Sequence, residues 1–219
     1  MDVQKAFDKV HHPYLIFKLI QLGIPCQLIK ILNDYLSSRT FVVKVGNSIS
    51  YPVPVLSSVP QGSLLGPRLF LLFTNDIPRT NDVTLAKYAD DTAILCTRKR
   101  PHTVFNILQN YLKIYENWLK KWRITVNSSK SAAIFFTNQN FTPNNNLILN
   151  NEPIPWETSY KYLGMHLDSK LMWQKHISES LDKAEKAMYS LDNLLARKSR
   201  LSLKNKLLLY KSYTKPILT

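Results

Sequence analysis

Two adjacent carboxylates, Asp90 and Asp91, lie between two short runs of apolar and β-branched residues. Residues 83–97 read VTLAKYADDTAILCT, and this pattern predicts a β-hairpin with both aspartates at its tip. Neighbouring negative charges repel each other, and a bound hard cation such as Mg²⁺, which prefers carboxylate and phosphate oxygens, removes that repulsion. The pair is therefore a candidate metal site.

A third carboxylate, Asp2, lies far away in the sequence, in the segment MDVQKAFDKV of residues 1–10. If the two carboxylate segments converge at strand ends, they can hold two metal ions about 4 Å apart. Such a pair suits in-line phosphoryl transfer, because one ion activates the attacking oxygen and the other stabilises the leaving pyrophosphate.

The composition favours a partner with many negative charges. The chain has 219 residues, which suits one domain or one and a half, and 45% of them are hydrophobic, which is enough for a sizeable core. It carries 29 Lys and Arg against 15 Asp and Glu, a net charge of +14. This balance favours nucleic acid ahead of an anionic membrane, although a generically basic protein is as compatible with charge alone.

Other patterns exclude several classes of protein. No apolar run approaches the roughly 20 residues that span a bilayer, and charges interrupt any apolar core of a signal peptide near the N-terminus. Cys26 and Cys96 do not form a disulfide framework, and the five histidines lack zinc-ligand spacing with either cysteine. We therefore expect an intracellular protein without a membrane partner, and shuttling between cytoplasm and nucleus is compatible with this sequence, which carries no recognisable targeting signal.

The elements that must position the carboxylates follow from hydrophobic periodicity. Apolar residues at helical spacing predict helices around residues 15–20, 28–36 and 104–122, and a glycine-rich turn at 61–66 leads into an apolar helix that reaches residue 73. The aromatic stripe of the third helix favours core packing over base stacking. Residues 41–45, 124–126 and 132–136 are β-like, residues 138–152 are predicted as an Asn-rich loop, and 160–168 as a hairpin.

The chain ends in a basic helical part. Two helices are predicted, one over residues 177–195 and one from residue 203, with Ser202 as the N-cap of the second. Residues 169–219 contain 11 Lys or Arg and 4 Asp or Glu, a net charge of +7. A grip on a nucleic-acid duplex and a solvated helix face explain this charge equally well. The element order predicts an α+β fold, an antiparallel sheet with helices on one face, followed by a helical appendage.

Five motifs in order resemble the reverse transcriptases of non-LTR (LINE-type) retrotransposons, especially the jockey-like elements. Residues 2–8 (DVQKAFD) resemble polymerase motif A, 59–67 (VPQGSLLGP) motif B, 88–91 (YADD) motif C, 127–130 motif D and 162–164 (YLG) motif E. The resemblance implies a right-hand polymerase palm over residues 1–168 and a partial helical thumb over 169–219. The motif B run is the most specific of these signals.

The resemblance also implies roles for individual residues. Asp2, Asp90 and Asp91 would bind two Mg²⁺ ions, for which Mn²⁺ can substitute, and Lys130 would act near the leaving pyrophosphate as a cation or general acid. Phe7 would exclude a ribose 2′-OH, and Gln61 and Gly62 would lie against the nascent base pair; a core Phe and a solvated Lys are the alternatives for Phe7 and Lys130. Asp8 is expected to be a structural helper. The residues expected to bind nucleic acid are Tyr162, Leu163, Gly164, Lys198, Arg200 and Lys204.

The implied activity is RNA-directed DNA polymerisation, a nucleotidyl transfer that joins dNTPs to a DNA primer on an RNA template. The sequence begins within motif A, so we expect an N-terminally truncated enzyme whose fingers and other element-encoded domains lie outside it. The alternative is a catalytically inactive transposon relic that binds nucleic acid without copying it. Ser58, which stands where the family usually has glycine, is expected to strain the turn before Val59.

Overall fold

The computed structural model describes residues 1–3, 6–139, 141, 143 and 145–218. The chain divides into two compact units. Unit 1 contains residues 1–133 and 143–155, and unit 2 contains residues 134–142 and 156–219. Within the described residues no helix is both long and apolar enough to cross a membrane.

Unit 1 combines four helices with short strands among its described residues. The helices are α1 (His12–Gln21), α2 (Cys26–Leu36), α3 (Leu65–Phe73) and α4 (Pro101–Trp122). The strands are β1 (Asp2–Val3), β2 (Thr40–Phe41), β3 (Lys44–Val45), β4 (Ser48–Ile49), β5 (Val53–Pro54), β6 (Thr84–Tyr88), β7 (Asp91–Leu95), β8 (Val126–Asn127), β9 (Leu147–Leu149) and β10 (Glu152–Ile154). A 3₁₀ turn, Ser128–Lys130, follows β8.

The core of unit 1 forms around α4, as the aromatic stripe predicts. Pro101 occupies the first turn of this helix, and Arg123, with a φ of +54°, ends it in a left-handed cap. Tyr111, Tyr115 and Trp118 stack along one face, with ring centroids 6.3 and 5.8 Å apart. The buried side chains of α4 are Val104, Tyr111, Leu112, Tyr115, Trp118, Leu119 and Trp122.

Unit 2 begins its regular structure with a hairpin and continues with helices. The hairpin pairs β11 (Ser159–Tyr162) with β12 (Met165–Asp168), as the sequence predicts. The helices are α5 (Gln174–Ser190), α6 (Asp192–Leu195), α7 (Leu203–Leu209) and α8 (Lys215–Leu218), with one π-helical segment, Tyr210–Thr214, among the described residues. The predicted cap of α7 is confirmed, since the Ser202 hydroxyl accepts a hydrogen bond from the Asn205 amide at 3.4 Å.

The strands pair in a simpler way than one broad sheet. Among the described residues they form six two-stranded antiparallel ladders: β1 with β8, β2 with β5, β3 with β4, β6 with β7, β9 with β10 and β11 with β12. The mixed α and β composition is thus confirmed, whereas the six ladders do not form a single antiparallel sheet; two further backbone bonds, between Met1 and Thr92, link the start of β1 to β7. Very short strands explain this, since most ladders join only two or three residues on each side.

Two predicted segments were wrong in their detail. Residues 132–136, all of them described, form no strand, because only Ala133 makes a bridging backbone bond, to the Pro155 carbonyl at 2.9 Å. The predicted loop over 138–152 includes β9 and the start of β10, whose turn is Asn150–Asn151 with φ values of +52° and +63°. Two positive φ angles in a two-residue turn are typical of a type I′ hairpin, for which asparagine is well suited.

The predicted strand at 41–45 is divided between β2 and β3, and β8 begins only at Val126. The boundary predicted between palm and thumb, at 168/169, stays a prediction. The compact units divide the chain differently, because the hairpin of β11 and β12 belongs to unit 2 with the helices that follow it.

Candidate active site

The hairpin of β6 and β7 presents the two adjacent aspartates. Tyr88 pairs with Asp91, which leaves Ala89 and Asp90 as a two-residue turn. Ala89 has a φ of +53°, a left-handed conformation that tight hairpin turns require at their first central position. Asp90 and Asp91 are both half-buried. The turn therefore fixes two consecutive carboxylates at the end of a ladder.

A pair of backbone hydrogen bonds brings Asp2 to the same place. The Met1 nitrogen donates to the Thr92 carbonyl at 2.9 Å, and the Thr92 amide donates to the Met1 carbonyl at 3.3 Å. Residues that exchange both bonds are directly opposite each other in antiparallel pairing, so the next position places Asp2 opposite Asp91. Opposite Cα atoms in such a pair are about 4.5–5.5 Å apart.

The other side of β1 adds the motif D segment. Asp2 pairs with Asn127 of β8, and Lys130, which is exposed, ends the 3₁₀ turn that follows. The backbone of Asp2 thus lies between Asp91 and Asn127. The side chain of Asp2 lies outside the described part of the structure.

The donor set fits hard divalent cations. Aspartate oxygens are the ligands that Mg²⁺ and Mn²⁺ accept, and half-buried carboxylates at a hairpin end leave room for water and phosphate ligands. Among the described side chains no group of three or more His, Cys, Asp or Glu could hold a metal ion, and the carboxylate of Asp2 is not among those described. The metal-binding roles of Asp2, Asp90 and Asp91 therefore stay predictions.

The motif B segment forms a turn that admits no side chain at one position. The Ser63 hydroxyl donates to the Pro60 carbonyl and accepts from the Gly66 amide, both at 2.9 Å. A Cβ at Gly66 would lie 2.4 Å from the Pro60 carbonyl oxygen, closer than any real contact. Gly62 has a φ of +79° and open space around its Cα. Gly66 is therefore a packing requirement, whereas Gly62 leaves its backbone accessible.

Motif A and motif B are held side by side. The Val59 amide donates to the Phe7 carbonyl at 2.9 Å, and the Ser57 hydroxyl donates to the Asp8 carbonyl at 2.9 Å. The Gln61 amide nitrogen donates to the Asp8 carboxylate at 3.0 Å. These bonds bring Phe7 and Gln61, two predicted nucleotide-binding residues, into neighbouring segments.

Phe7 contacts the helix that follows motif B. Its half-buried ring lies 5.0 Å, centroid to centroid, from the buried ring of Phe70 in α3. This packing is compatible with both interpretations of Phe7, a core residue and a steric gate, and the gate stays a prediction.

Ser58 has the strained backbone that its position predicts. Its φ is +117°, a region that favours glycine. Its carbonyl and its hydroxyl both accept hydrogen bonds from the Arg39 guanidinium, at 3.0 and 2.9 Å, and the His12 ring contacts the same carbonyl at 2.8 Å. These contacts hold the turn despite its strain.

Two lysines at the C-terminal end of α3 were not predicted from the sequence: Lys18, which is buried, and Lys87, which is half-buried. Lys18 of α1 donates to the Phe73 carbonyl and to the Asp76 carboxylate, the latter at 2.5 Å. Lys87 of β6 donates to the carbonyl and hydroxyl of Thr74, at 3.0 and 2.6 Å. Cations favour the C-terminal end of a helix, where carbonyls lack partners.

Burial affects the charge of both lysines. It lowers the pKa of Lys18 to about 8, an effect that the hydrogen bond to Asp76 partly offsets. It also lowers the pKa of Lys87. A lysine at an otherwise apolar helical position, and a lysine on the inner face of a strand, were the signals in the sequence.

The predicted nucleic-acid-binding residues of unit 2 occupy two turns. Tyr162 ends β11, and Leu163 and Gly164 form the hairpin turn with φ values of +48° and +86°. Lys198 and Arg200 are exposed in the connection between α6 and α7, and Lys204 is exposed in the first turn of α7. Their binding roles stay predictions.

Comparisons with known proteins agree with the motifs. The family described as reverse transcriptase (RNA-dependent DNA polymerase) matches residues 1–167. The chain is 36% identical, over 100% of its length, to the "RNA-directed DNA polymerase from mobile element jockey" of Drosophila melanogaster. It is 34% identical to the probable RNA-directed DNA polymerase from transposon X-element and 35% to that from transposon BS, both of the same fly and both over 99% of this chain.

The chain spans about a quarter of the length of these relatives, 24% for the jockey and X-element proteins and 25% for the BS protein. The resemblance to non-LTR retrotransposon enzymes that the five motifs indicated is confirmed. The chain belongs to the reverse transcriptase family, and its relatives include RNA-directed DNA polymerases of the mobile element jockey.

Proposed function

We propose that this chain is the catalytic palm and the first part of the thumb of an RNA-directed DNA polymerase from a non-LTR retrotransposon. The observation that carries the proposal is the backbone pairing of Met1 with Thr92, which sets Asp2 opposite Asp91 beside the Asp90 turn. Family membership and the metal-binding chemistry of carboxylates support the same conclusion.

The proposed reaction extends a DNA primer on an RNA template with dNTPs. Asp2, Asp90 and Asp91 would hold two Mg²⁺ ions, and bound ions would supply activation of the primer 3′-OH and neutralisation of charge on the phosphates. Lys130 would place a cation beside the departing pyrophosphate and can donate a proton to it. The remaining residues of the site bind and align the nucleotide.

Nucleotide selection is assigned to the segments that motif A and motif B bring together. The Phe7 ring would occupy the space of a ribose 2′-OH, so deoxynucleotides would be preferred. The accessible backbone at Gly62 would allow close approach to the new base pair. The turn at 162–164 would support the primer end, and the basic residues Lys198, Arg200 and Lys204 would contact phosphates of the duplex.

Primer extension on poly(rA)/oligo(dT) tests the catalytic part of this proposal. The purified chain is assayed with Mg²⁺ or Mn²⁺ beside Asp90→Asn and, as a matched control, Asp34→Asn, which removes the same charge from an exposed position on α2. We expect extension by the parent and by the control, and loss of about 10³-fold or more in Asp90→Asn because a metal ligand is removed.

Two results would contradict the catalytic assignment. Extension by Asp90→Asn at the parent rate would show that Asp90 is not a metal ligand. If no variant extends the primer while all bind the duplex in a salt-sensitive way, the alternative is favoured, a transposon relic that grips nucleic acid without copying it.

The salt dependence of duplex binding tests the thumb residues. Replacing Lys198, Arg200 and Lys204 with Gln should weaken binding and reduce the slope of log K against log salt by roughly one for each phosphate that is no longer neutralised. The control replaces three exposed lysines of α5, namely Lys175, Lys183 and Lys186. Equal effects of the two sets would show diffuse attraction and would remove the specific assignment.

An intracellular location, with access to both cytoplasm and nucleus, is part of the same proposal. Fractionation of cells that express the tagged chain checks it, and recovery of the chain mainly from the medium would contradict it.

A further inference from the structure

The hydrogen bond between Asp8 and Gln61 joins motif A to motif B at the nucleotide side of the proposed site. The Gln61 amide nitrogen lies 3.0 Å from an Asp8 carboxylate oxygen, and both side chains are exposed. The segments on which they lie are held by a backbone hydrogen bond from the Val59 amide to the Phe7 carbonyl and by a side-chain bond from the Ser57 hydroxyl to the Asp8 carbonyl, each at 2.9 Å. The side-chain pair is therefore built on a fixed frame.

The chemistry of the two groups determines how the Gln61 amide is turned. An ionised carboxylate only accepts hydrogen bonds, whereas a glutamine amide has a donating NH₂ group and an accepting carbonyl oxygen. Asp8 can therefore pair only with the NH₂ group of Gln61. The carbonyl oxygen of Gln61 is left as an acceptor that is directed away from Asp8.

We propose that Asp8 is a positioning residue, which holds the Gln61 carbonyl oxygen as an acceptor for a hydroxyl group of the incoming nucleotide's sugar. This inference rests on the proposed polymerase function and deepens it. The sugar of a deoxynucleotide carries one free hydroxyl, at the 3′ position. Asp8 thereby acts through Gln61 and favours nucleotides that can continue the chain over 3′-deoxy analogues.

A role in holding the fold does not account for this pair. Both side chains are exposed, and other groups hold the segments on which they lie: the Val59 amide, the Ser57 hydroxyl and the buried Phe70 ring that contacts Phe7. A hydrogen bond at such a place has modest influence on folding. The way this hydrogen bond orients the Gln61 amide toward a bound ligand is a separate property, and it can be measured apart from folding.

The first measurement tests the contact without any need for activity. In ¹⁵N NMR spectra the side-chain NH₂ signals of Gln61 are identified by their loss in Gln61→Met. In the parent we expect two well-separated proton shifts from a bonded amide. In Asp8→Ala these signals should move to the positions of a free glutamine, and in Asp8→Asn they should remain close to the parent. Free-glutamine shifts in the parent would overturn the proposal.

The second measurement compares dTTP with its 3′-deoxy analogue. Their dissociation constants are determined with Mg²⁺ on the chain bound to an RNA template and a primer that ends in a dideoxynucleotide, so no turnover is required. Loss of one hydrogen bond corresponds to about a tenfold preference for dTTP in the parent. Asp8→Ala should reduce this preference to about twofold.

A charge-conserving exchange provides the rescue. Gln61→Glu places two carboxylates face to face, so the preference for dTTP should fall as it does in Asp8→Ala. Asp8→Asn combined with Gln61→Glu reverses donor and acceptor, keeps the charge of the pair and leaves a Glu oxygen for the hydroxyl. The preference should return to within about twofold of the parent value. Binding of rTTP serves as control, since its discrimination is assigned to Phe7 and should not change.

The outcomes separate this inference from the proposed function. A parent that binds dTTP and distinguishes it from the 3′-deoxy analogue, with the same preference in Asp8→Ala, overturns the role of Asp8 and leaves the polymerase assignment in place. A parent that binds no nucleotide overturns both. A preference for dTTP that falls in Asp8→Ala, measured on a chain that does not extend primers, supports the Asp8 role and contradicts only catalysis by this chain.

Discussion

The helices α4 and α5 share one sequence pattern and differ in burial. Both carry apolar residues at alternating spacings of four and three. Seven side chains of α4 are buried. In α5, all of whose residues are described, only Ala184 and Ala187 are buried, and the Leu181 side chain is 50% exposed. The difference shows that periodicity predicts a helix and its apolar face but not whether that face is covered. Unit 1 buries the apolar face of its longest helix, whereas unit 2 leaves much of the apolar face of α5 exposed beside basic residues.

Truncation of one leucine in each helix should produce the largest contrast. Leu119→Ala in α4, where the side chain is 1% exposed, should lower the free energy of unfolding by roughly 2–5 kcal/mol. Leu181→Ala in α5 should change it by less than about 1 kcal/mol. Urea denaturation followed by circular dichroism checks both. Similar losses would mean that α5 is covered as fully as α4.

The ion pair beneath α4 should give the next largest effect. Asp76 accepts hydrogen bonds from Lys18 and, at 3.1 Å, from the Trp118 ring nitrogen. Asp76→Ala leaves a buried ammonium without its carboxylate and should cost roughly 2–3 kcal/mol. Asp182→Ala, an exposed aspartate of α5, is the control and should cost less than about 0.5 kcal/mol. Equal denaturation midpoints for the two variants would contradict the role of this pair.

The pH dependence of stability should identify Lys18 itself. Its folded pKa of about 8 lies below the ordinary value of 10.5, so the unfolded chain binds more protons between these two values. Its contribution to stability therefore rises as the pH increases from about 8 to 10.5. In Lys18→Met this rise should be absent. Parallel curves for parent and variant would show that Lys18 keeps its ordinary pKa.

The smallest effect is expected at Asp168, where unit 2 turns from its hairpin into α5. Its carboxylate accepts hydrogen bonds from the amides of Met172 and Trp173, at 3.0 and 2.8 Å, and from that of Lys170. The bond from Met172 is the largest influence that lowers its pKa below the usual 3.8. The stability that it adds is present above that value and lost as the pH falls below it.

Asp168→Asn should flatten this acid-dependent loss, as measured by denaturation between pH 2 and 6. Asp182→Asn, which changes the same charge on the exposed face of α5, is the control. If both variants lose stability with acid as the parent does, Asp168 does not organise the turn.

The parts of the fold that depend on local sequence were predictable. The long helix, the hairpin of Asp90 and Asp91 and the Ser202 cap each arise from neighbouring residues, and each was found where it was predicted. Pairing between segments that lie far apart in the sequence was not predictable. Residues 132–136 have the composition of a strand, but among the described residues only Ala133 makes a bridging backbone bond. Composition alone does not reveal whether a segment has a partner strand.

The candidate site shows the same division. The motifs predicted site roles for the carboxylates, Gln61 and Phe7, and these roles stay predictions; the bond from Gln61 to Asp8 was not predicted, because it joins positions 53 residues apart. Lys18 and Lys87 could not be assigned from their own segments, because the helix end that each one caps lies elsewhere in the chain. The Gly66 requirement was visible only as part of a motif, and its physical cause is the nearby Pro60 carbonyl.

The exchange of hydrogen bonds between Met1 and Thr92 has an evolutionary consequence. Because both bonds use main-chain atoms, the alignment of the two acidic segments does not depend on which side chain stands at position 1. At position 92 a proline would abolish one bond by removing its N–H donor. Point mutations that accumulate in copies of a mobile element should thus erode the chemistry of such a site, by replacing a carboxylate, well before they erode its geometry.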